Sequence, residues 1–288
     1  MVVRKARRPR PVSRIRRGAG LATAWLHILP DFVIIGAQRG GTTSLFKYLV
    51  AHPDIYPAAL KEVHFFDRSF DRGVGWYRSF FPLALQRWYV TRVRRRAFVT
   101  GEATPYYLFH PRAPERMAAL LPHVKLIAIL RNPVDRAYSQ YNHEVRRGLE
   151  SMSFVEALQR EREMLVTEQA VLQADPIYCS TLHQHHAYLA RGRYVEQLQV
   201  WQHYFPREQM LVLQSEAFYA DPASSLAQVM DFLGLSPFQL GEFRKYNEMQ
   251  YVEMPAEVRA DLQTYFRPYN QQLYEFLGVD WTWGLLTR

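Results

Sequence analysis

The stretch FVIIGAQRGGTTSLFKYLV, Phe32 to Val50, decides the fold. Phe32 to Ile35 is an apolar run too short for a helix, and it closes on Gly36, as a buried parallel strand does. Thr42 to Val50 reads as a helix that stops near Pro53. Between them, Gly36, four residues and then Gly41 have the spacing of a loop whose backbone N–H groups converge on one anion at a helix N-terminus. Arg39 adds positive charge within the loop, and Thr42 and Thr43 add hydroxyl donors. Thr42 stands where a nucleotide triphosphatase carries the lysine that reaches the β- and γ-phosphates. Such a loop can hold a phosphate and is poorly equipped for γ-phosphoryl transfer.

Working outward, the pattern alternates strands and helices. Strands are expected at Phe98–Thr100, Val124–Leu130 and Met210–Leu213. Helices are expected at Arg112–Leu121, from Pro133 to about Arg147, at Phe154–Val171, Val195–Phe205 and Ser224–Leu233, and at Ala256–Leu277 with a break at Pro268. This order implies an α/β fold: a P-loop-type central parallel sheet flanked by helices on both faces, in a single domain. Sites in such sheets lie at the carboxyl ends of the strands. Arg131 emerges there, and RNPVDRAYSQY follows it. Arg136 and Ser139 are three apart on the same helix, and an arginine with a serine hydroxyl suits a second phosphate. Pairing of Arg136 with Asp135 and capping by Asn132 is the structural alternative.

Charge is unevenly placed. The net charge is +9, but residues 1–17 hold eight basic residues and no acidic one, which leaves +1 for the rest. Residues 1–30 therefore read as a basic, disordered tail and lead-in, with weak contact to anionic membrane or polyanion, and residues 31–288 as the folded domain. A near-neutral body argues against specific nucleic-acid binding. The single cysteine, Cys179, excludes an internal disulfide and a cysteine-rich metal site and favours a reducing, cytoplasmic setting. His183, His185 and His186 lack a matching ligand pattern and read as a helix face, so no metal is expected.

Beyond the loop, GAQRGGTTSL, KEVHFFD, GVGWYRSFFP, GEATPYYLF and LRNPVDRAYSQY occur in the order seen in the sulfotransferases that use 3′-phosphoadenosine-5′-phosphosulfate, and the chain resembles the heparan-sulfate-type branch and its bacterial homologues over roughly residues 31–278. The resemblance implies that Arg39, Gly40, Gly41, Thr42, Thr43 and Ser44 bind the 5′-phosphosulfate, and that Arg131 and Ser139 bind the 3′-phosphate. It implies that Glu62 is the general base, and that Arg244, Lys245 and Tyr246 belong to a late loop closing over the nucleotide. Three departures stand out: Arg39 where relatives commonly have lysine, Ala103 where the glycan-modifying enzymes usually have lysine, and a late loop without a disulfide pair.

Sulfuryl transfer asks for a positioned acceptor, removal of its proton and stabilisation of the departing oxygen. Glu62 suits the proton, and as a base it should be partly buried with a raised pKa. His64 is the second candidate base, on the same side of an extended segment. Arg39 suits the leaving group. The expected acceptor is a hydroxyl or amine on a glycan, lipid or small metabolite. A P-loop nucleotide kinase and a non-catalytic nucleotide- or polyanion-binding protein are the alternatives. Sequence leaves the oligomeric state open.

Overall fold

The computed structural model describes residues 23–175, 178–246 and 251–283. Of the expected tail and lead-in, residues 1–30, positions 1–22 lie outside the described residues. The described fold starts ahead of the boundary expected at Asp31. Ala24–Leu26 form a 3-10 turn, and His27 bridges to Leu83.

Four parallel strands form the sheet: β1 (Phe32–Gly36), β2 (Gly101–Ala103), β3 (Lys125–Leu130) and β4 (Met210–Gln214), in the order β2-β1-β3-β4. In chain order the helices are α1 (Thr42–Leu49), α2 (Phe65–Arg68), α3 (Gly73–Arg78), α4 (Ala84–Trp88, running on as a π-helical turn Tyr89–Val93) and α5 (Ala113–Leu120). They continue as α6 (Pro133–Arg146), α7 (Phe154–Ala174), α8 (Thr181–His185), α9 (Tyr194–Tyr204), α10 (Ser215–Ala220), α11 (Pro222–Leu233) and α12 (Ala256–Leu277).

The strands are buried on both faces, which is why they read as continuous apolar runs. Alternate residues feed two layers. Val33, Ile35, Ala128 and Leu130 pack with Phe65, Tyr107 and Trp201, while Phe32, Ile34, Ile127 and Ile129 pack with Leu45, Phe218 and Val229. Chain order reverses between β1 and β3, so the connections leaving those neighbouring strands diverge and open a crevice at their carboxyl ends.

Two expectations are corrected. The second strand is Gly101–Ala103 rather than Phe98–Thr100. A Cβ at position 101 would lie 2.5 Å from the Phe32 ring, so the glycine that looks like a strand stop is what lets β2 lie beside β1. Phe98 instead stacks on Tyr56 at 3.9 Å. The last helix is not broken at Pro268; it runs unbroken through Leu277. The proline removes one backbone donor, and burial of Leu262, Phe266, Asn270 and Leu273 on one side keeps both halves on the same core.

Candidate active site

The crevice between β1 and β3 is lined first by the glycine loop. Ala37 N–H donates to the Ile129 carbonyl at 2.9 Å, which folds the loop across the end of β3. A Cβ on Gly40 would sit 2.3 Å from that same carbonyl oxygen, so only glycine fits there. Gly41, at φ 113, caps α1, and the helix N-terminus then faces the crevice. Thr42 is buried and Thr43 half-buried. Ser44 is buried and meets the late loop. Its Oγ lies 3.3 Å from the Tyr219 hydroxyl and accepts from the Tyr246 N–H at 3.2 Å.

Arg39 adopts a left-handed backbone at φ 68. Its Nε donates to the Oγ of Ser139 on α6 at 3.0 Å, and Ser139 is buried. Burial, then repulsion from Arg131, lowers the guanidinium's pKa. Arg131 follows β3 directly, where its carbonyl accepts from the Tyr194 hydroxyl at 2.8 Å. Arg136, expected beside Ser139, is instead fully buried and donates to Gln140 and the Tyr188 carbonyl. It is a structural arginine. Asn132 caps α6 by accepting from Val134 N–H at 3.0 Å.

The second group of side chains comes from the segment before α2. Glu62 and His64 are both left-handed, at φ 62 and 56, a strained conformation for side-chain-bearing residues that marks functional loops. Glu62 N–H is fixed to the Ala103 carbonyl of β2 at 3.0 Å. Glu62 Oε1 accepts from Lys61 Nζ at 2.7 Å, and Oε2 lies 3.8 Å from His64 Nε2. The other imidazole nitrogen, Nδ1, is 2.5 Å from Oδ2 of Asp67. Burial opposes charge on His64, but the Asp67 carboxylate outweighs it and holds the imidazole up at about 9. The Asp67 pairing favours the protonated imidazole, while Arg68 Nη2 lies 3.2 Å from the same Nε2 that faces Glu62. Desolvation likewise pushes Glu62 upward, yet the neighbouring His64 imidazole and the Lys61 ammonium prevail and hold its carboxyl at about 2. The expectation of a raised Glu62 pKa is thus reversed, because sequence spacing does not reveal both side chains converging on one carboxylate.

Glu102 on β2 organises this segment from below. It is fully buried and accepts from four donors: Val63 N–H (3.4 Å), Tyr77 (2.8 Å), Thr104 (2.6 Å) and Tyr107 (3.2 Å). Burial raises its pKa, and the hydrogen bonds from Thr104, Tyr77 and Val63 offset part of that rise. Four donors aimed at one carboxyl are what an acceptor-only carboxylate requires.

The late loop meets α1. The Tyr48 hydroxyl donates to the Arg244 carbonyl at 2.7 Å, Lys47 Nζ sits 3.8 Å from the Tyr246 ring centroid, and Lys245 Nζ lies 5.6 Å from the Tyr219 centroid. The Arg244 side chain is exposed and pairs with Glu242 at 3.0 Å. The three histidines go to separate partners: His183 to the Tyr106 hydroxyl (2.8 Å), His185 to Glu144 (3.4 Å) and His186 to Glu150 (3.1 Å).

Sequence reasoning missed Asp67, Glu102 and Arg191. Asp67 carried a readable signal, being one helical turn after His64. Glu102 carried a fainter one, a lone carboxylate between two small residues in a buried strand. Arg191 is fully buried, donates to Gln38 of the glycine loop, and lies over the rings of Tyr106 and Phe109 at 4.8 and 5.1 Å. Nothing in its sequence neighbourhood pointed to the loop.

Residues 29–262 match the sulfotransferase domain family. The mouse heparan sulfate glucosamine 3-O-sulfotransferase 3B1 is 30% identical, with 96% of this chain and 69% of the mouse protein covered. The human bifunctional heparan sulfate N-deacetylase/N-sulfotransferase 3 is 32% identical over 86% of this chain but only 30% of its own length. Among solved structures, a sulfotransferase from Alicyclobacillus acidocaldarius superposes with a TM-score of 0.67 at 33% identity, covering 89% of this chain and 99% of that one.

Proposed function

The chain belongs to the sulfotransferase domain family, and on that basis we propose that it transfers a sulfuryl group from 3′-phosphoadenosine-5′-phosphosulfate to a hydroxyl or amine, with Glu62 receiving the acceptor's proton. The observation that carries the donor assignment is the bond from Arg39 to Ser139. It joins the anion loop after β1 to the helix after β3, so two anion-receiving elements share one crevice, as a nucleotide phosphorylated at two places demands.

The residues present fit that donor. Gly40 lets the loop pack against the Ile129 carbonyl at the end of β3, and burial followed by repulsion from Arg131 depresses the Arg39 pKa, a repulsion that a bound anion relieves. When bound, the donor supplies an activated sulfuryl group whose bond to the bridging phosphate oxygen breaks as the acceptor's bond to sulfur forms. The loop N–H groups, Thr42, Thr43 and Arg39 hold the 5′ end and stabilise the negative charge that develops there. Arg131 and Ser139 hold the 3′-phosphate. Lys245 and Tyr246 sit where the late loop covers α1.

Glu62 is ionised at neutral pH and ready to accept a proton. Its low pKa makes it a weak base in the empty cleft, so the ion pair with Lys61 must loosen when acceptor enters. His64, gripped by Asp67, fixes the orientation of Glu62. Of the acceptor classes, a glycan is favoured by the names of the relatives. Partly exposed rings next to Phe65, Phe70 and Trp76, offer a stacking surface beside His64.

The test is incubation of the purified protein with sulfur-labelled donor, without magnesium, against glycan, phenolic and lipid acceptors. Label on an acceptor, lost in Glu62→Gln while donor binding persists, supports the reading. Phosphoryl transfer from ATP, with no transfer from the sulfated donor, contradicts it.

A further inference from the structure

We propose that the outward face formed by the Ala24–Leu26 turn and the helix running from Ala84 through Val93 docks on an anionic lipid bilayer. Leu85, Trp88, Tyr89 and Val93 are exposed by 71%, 55%, 46% and 52%, and Trp25 by 75%. Scattered apolar residues on a surface are ordinary, but these are not scattered. Positions 85, 88, 89, 92 and 93 follow helical spacing and form one stripe. The opposite side of the helix is held to the body. Val90 is buried, and Arg87 pairs with Asp31 and lies 5.3 Å from the Phe98 ring centroid. The outward stripe is thus presented by an anchored element. The turn carrying Trp25 is tied to the segment that leads into this helix by the bridge from His27 to Leu83 and by the Ile28 N–H bond to the Pro82 carbonyl at 3.0 Å.

The charge on this element selects the occupant. Residues 84–97 contain Arg87, Arg92, Arg94, Arg95 and Arg96 and no acidic residue. The four arginines after position 90 are exposed, with Arg96 paired to Asp54 at 2.6 Å. The eight basic residues of positions 1–17 lie only a few residues upstream of Trp25. Leucine, tryptophan and tyrosine share one helical face with Arg92, and the exposed Arg94, Arg95 and Arg96 follow directly after the helix; rings of this kind enter the headgroup layer while guanidiniums meet anionic lipid. A polyanionic glycan would use the arginines and gain nothing from Leu85 and Val93. Among the described residues no helix is long and apolar enough to cross a membrane, so the contact is peripheral. The pairing of Arg87 with Asp31, just before β1, places this face at the amino ends of the strands. The crevice lies at their carboxyl ends, so a docked molecule keeps its crevice open to the aqueous phase.

Sedimentation of the full-length protein with phosphatidylcholine vesicles, with and without phosphatidylglycerol, tests it. The expected result is binding to the anionic vesicles alone, reduced about tenfold or more in the double variant Leu85→Ser, Trp88→Ser and reduced likewise in Arg92→Gln, Arg94→Gln, Arg95→Gln. Thermal melting of both variants should match the parent, because the substituted side chains are exposed. A double apolar variant that binds as tightly as the parent overturns the proposal, since charge alone would then suffice. Retention on immobilised heparin without vesicle binding overturns it in favour of a polyanion site.

Discussion

Arg39, in the loop after β1, and Ser139, on the second turn of α6, are joined by a 3.0 Å hydrogen bond across the crevice that the strand order opens. One lies in the loop after β1 and the other on the helix after β3, so the bond couples the two elements. Loss of Ser139 should leave Arg39 less well directed, and loss of Arg39 should strip charge from the loop.

Ser139→Ala should therefore weaken binding of 3′-phosphoadenosine-5′-phosphate about tenfold, and Arg39→Ala by about a hundredfold, the range for hydrogen bonds to charged groups. AMP, without the 3′-phosphate, should respond to Arg39→Ala and less to Ser139→Ala, which reaches it only through the redirected Arg39. Calorimetry on both ligands checks this.

Lys61→Met should raise the pKa of Glu62 from about 2, because the Lys61 ammonium is one of the groups holding it down. A base works only when ionised, so activity is lost as pH falls through its pKa. A higher pKa moves that loss to higher pH. The acid limb of the pH–rate profile should shift upward in the variant, and an unmoved limb would detach Glu62 from the proton transfer.

His64 gives the opposite sign. Its pKa is raised from the ordinary 6.5 to about 9 by Asp67, so its stabilisation is complete below 6.5 and is lost as pH rises through 9. The shift corresponds to at most about 3 kcal/mol. Asp67→Asn should abolish this alkaline loss and return the His64 titration toward its ordinary range, both observable by NMR and urea unfolding across pH.

Glu102→Ala should cost about 2–5 kcal/mol, since it leaves three buried hydroxyls and the Val63 N–H without their acceptor. Urea denaturation measures this. Because Val63 lies between Glu62 and His64, turnover should fall further than stability alone explains.

What sequence could and could not show follows from which forces act locally. The glycine loop, the cap at Asn132 and the apolar strands depend on neighbours in the chain, and their positions were legible. The start of β2 was not, because Gly101 is required by Phe32 across the sheet rather than by its own segment. Helix spacing sets Arg136 beside Ser139 as a phosphate receiver, but tertiary packing buries Arg136 against Tyr188 and Gln140. The pKa of Glu62 was misjudged for a similar reason. Lys61 is its neighbour in the chain, whereas the Asp67 carboxylate that favours charge on His64 is a partner the sequence motif contains without revealing its contact.

The decisive measurement is calorimetric titration of the protein with 3′-phosphoadenosine-5′-phosphate, ATP and AMP in magnesium-free buffer. Tight binding of the bisphosphate over both others, lost in Arg131→Ala, is the expected result. Preference for ATP, or equal affinity with and without the 3′-phosphate, would contradict a two-phosphate site built on Arg39, Arg131 and Ser139.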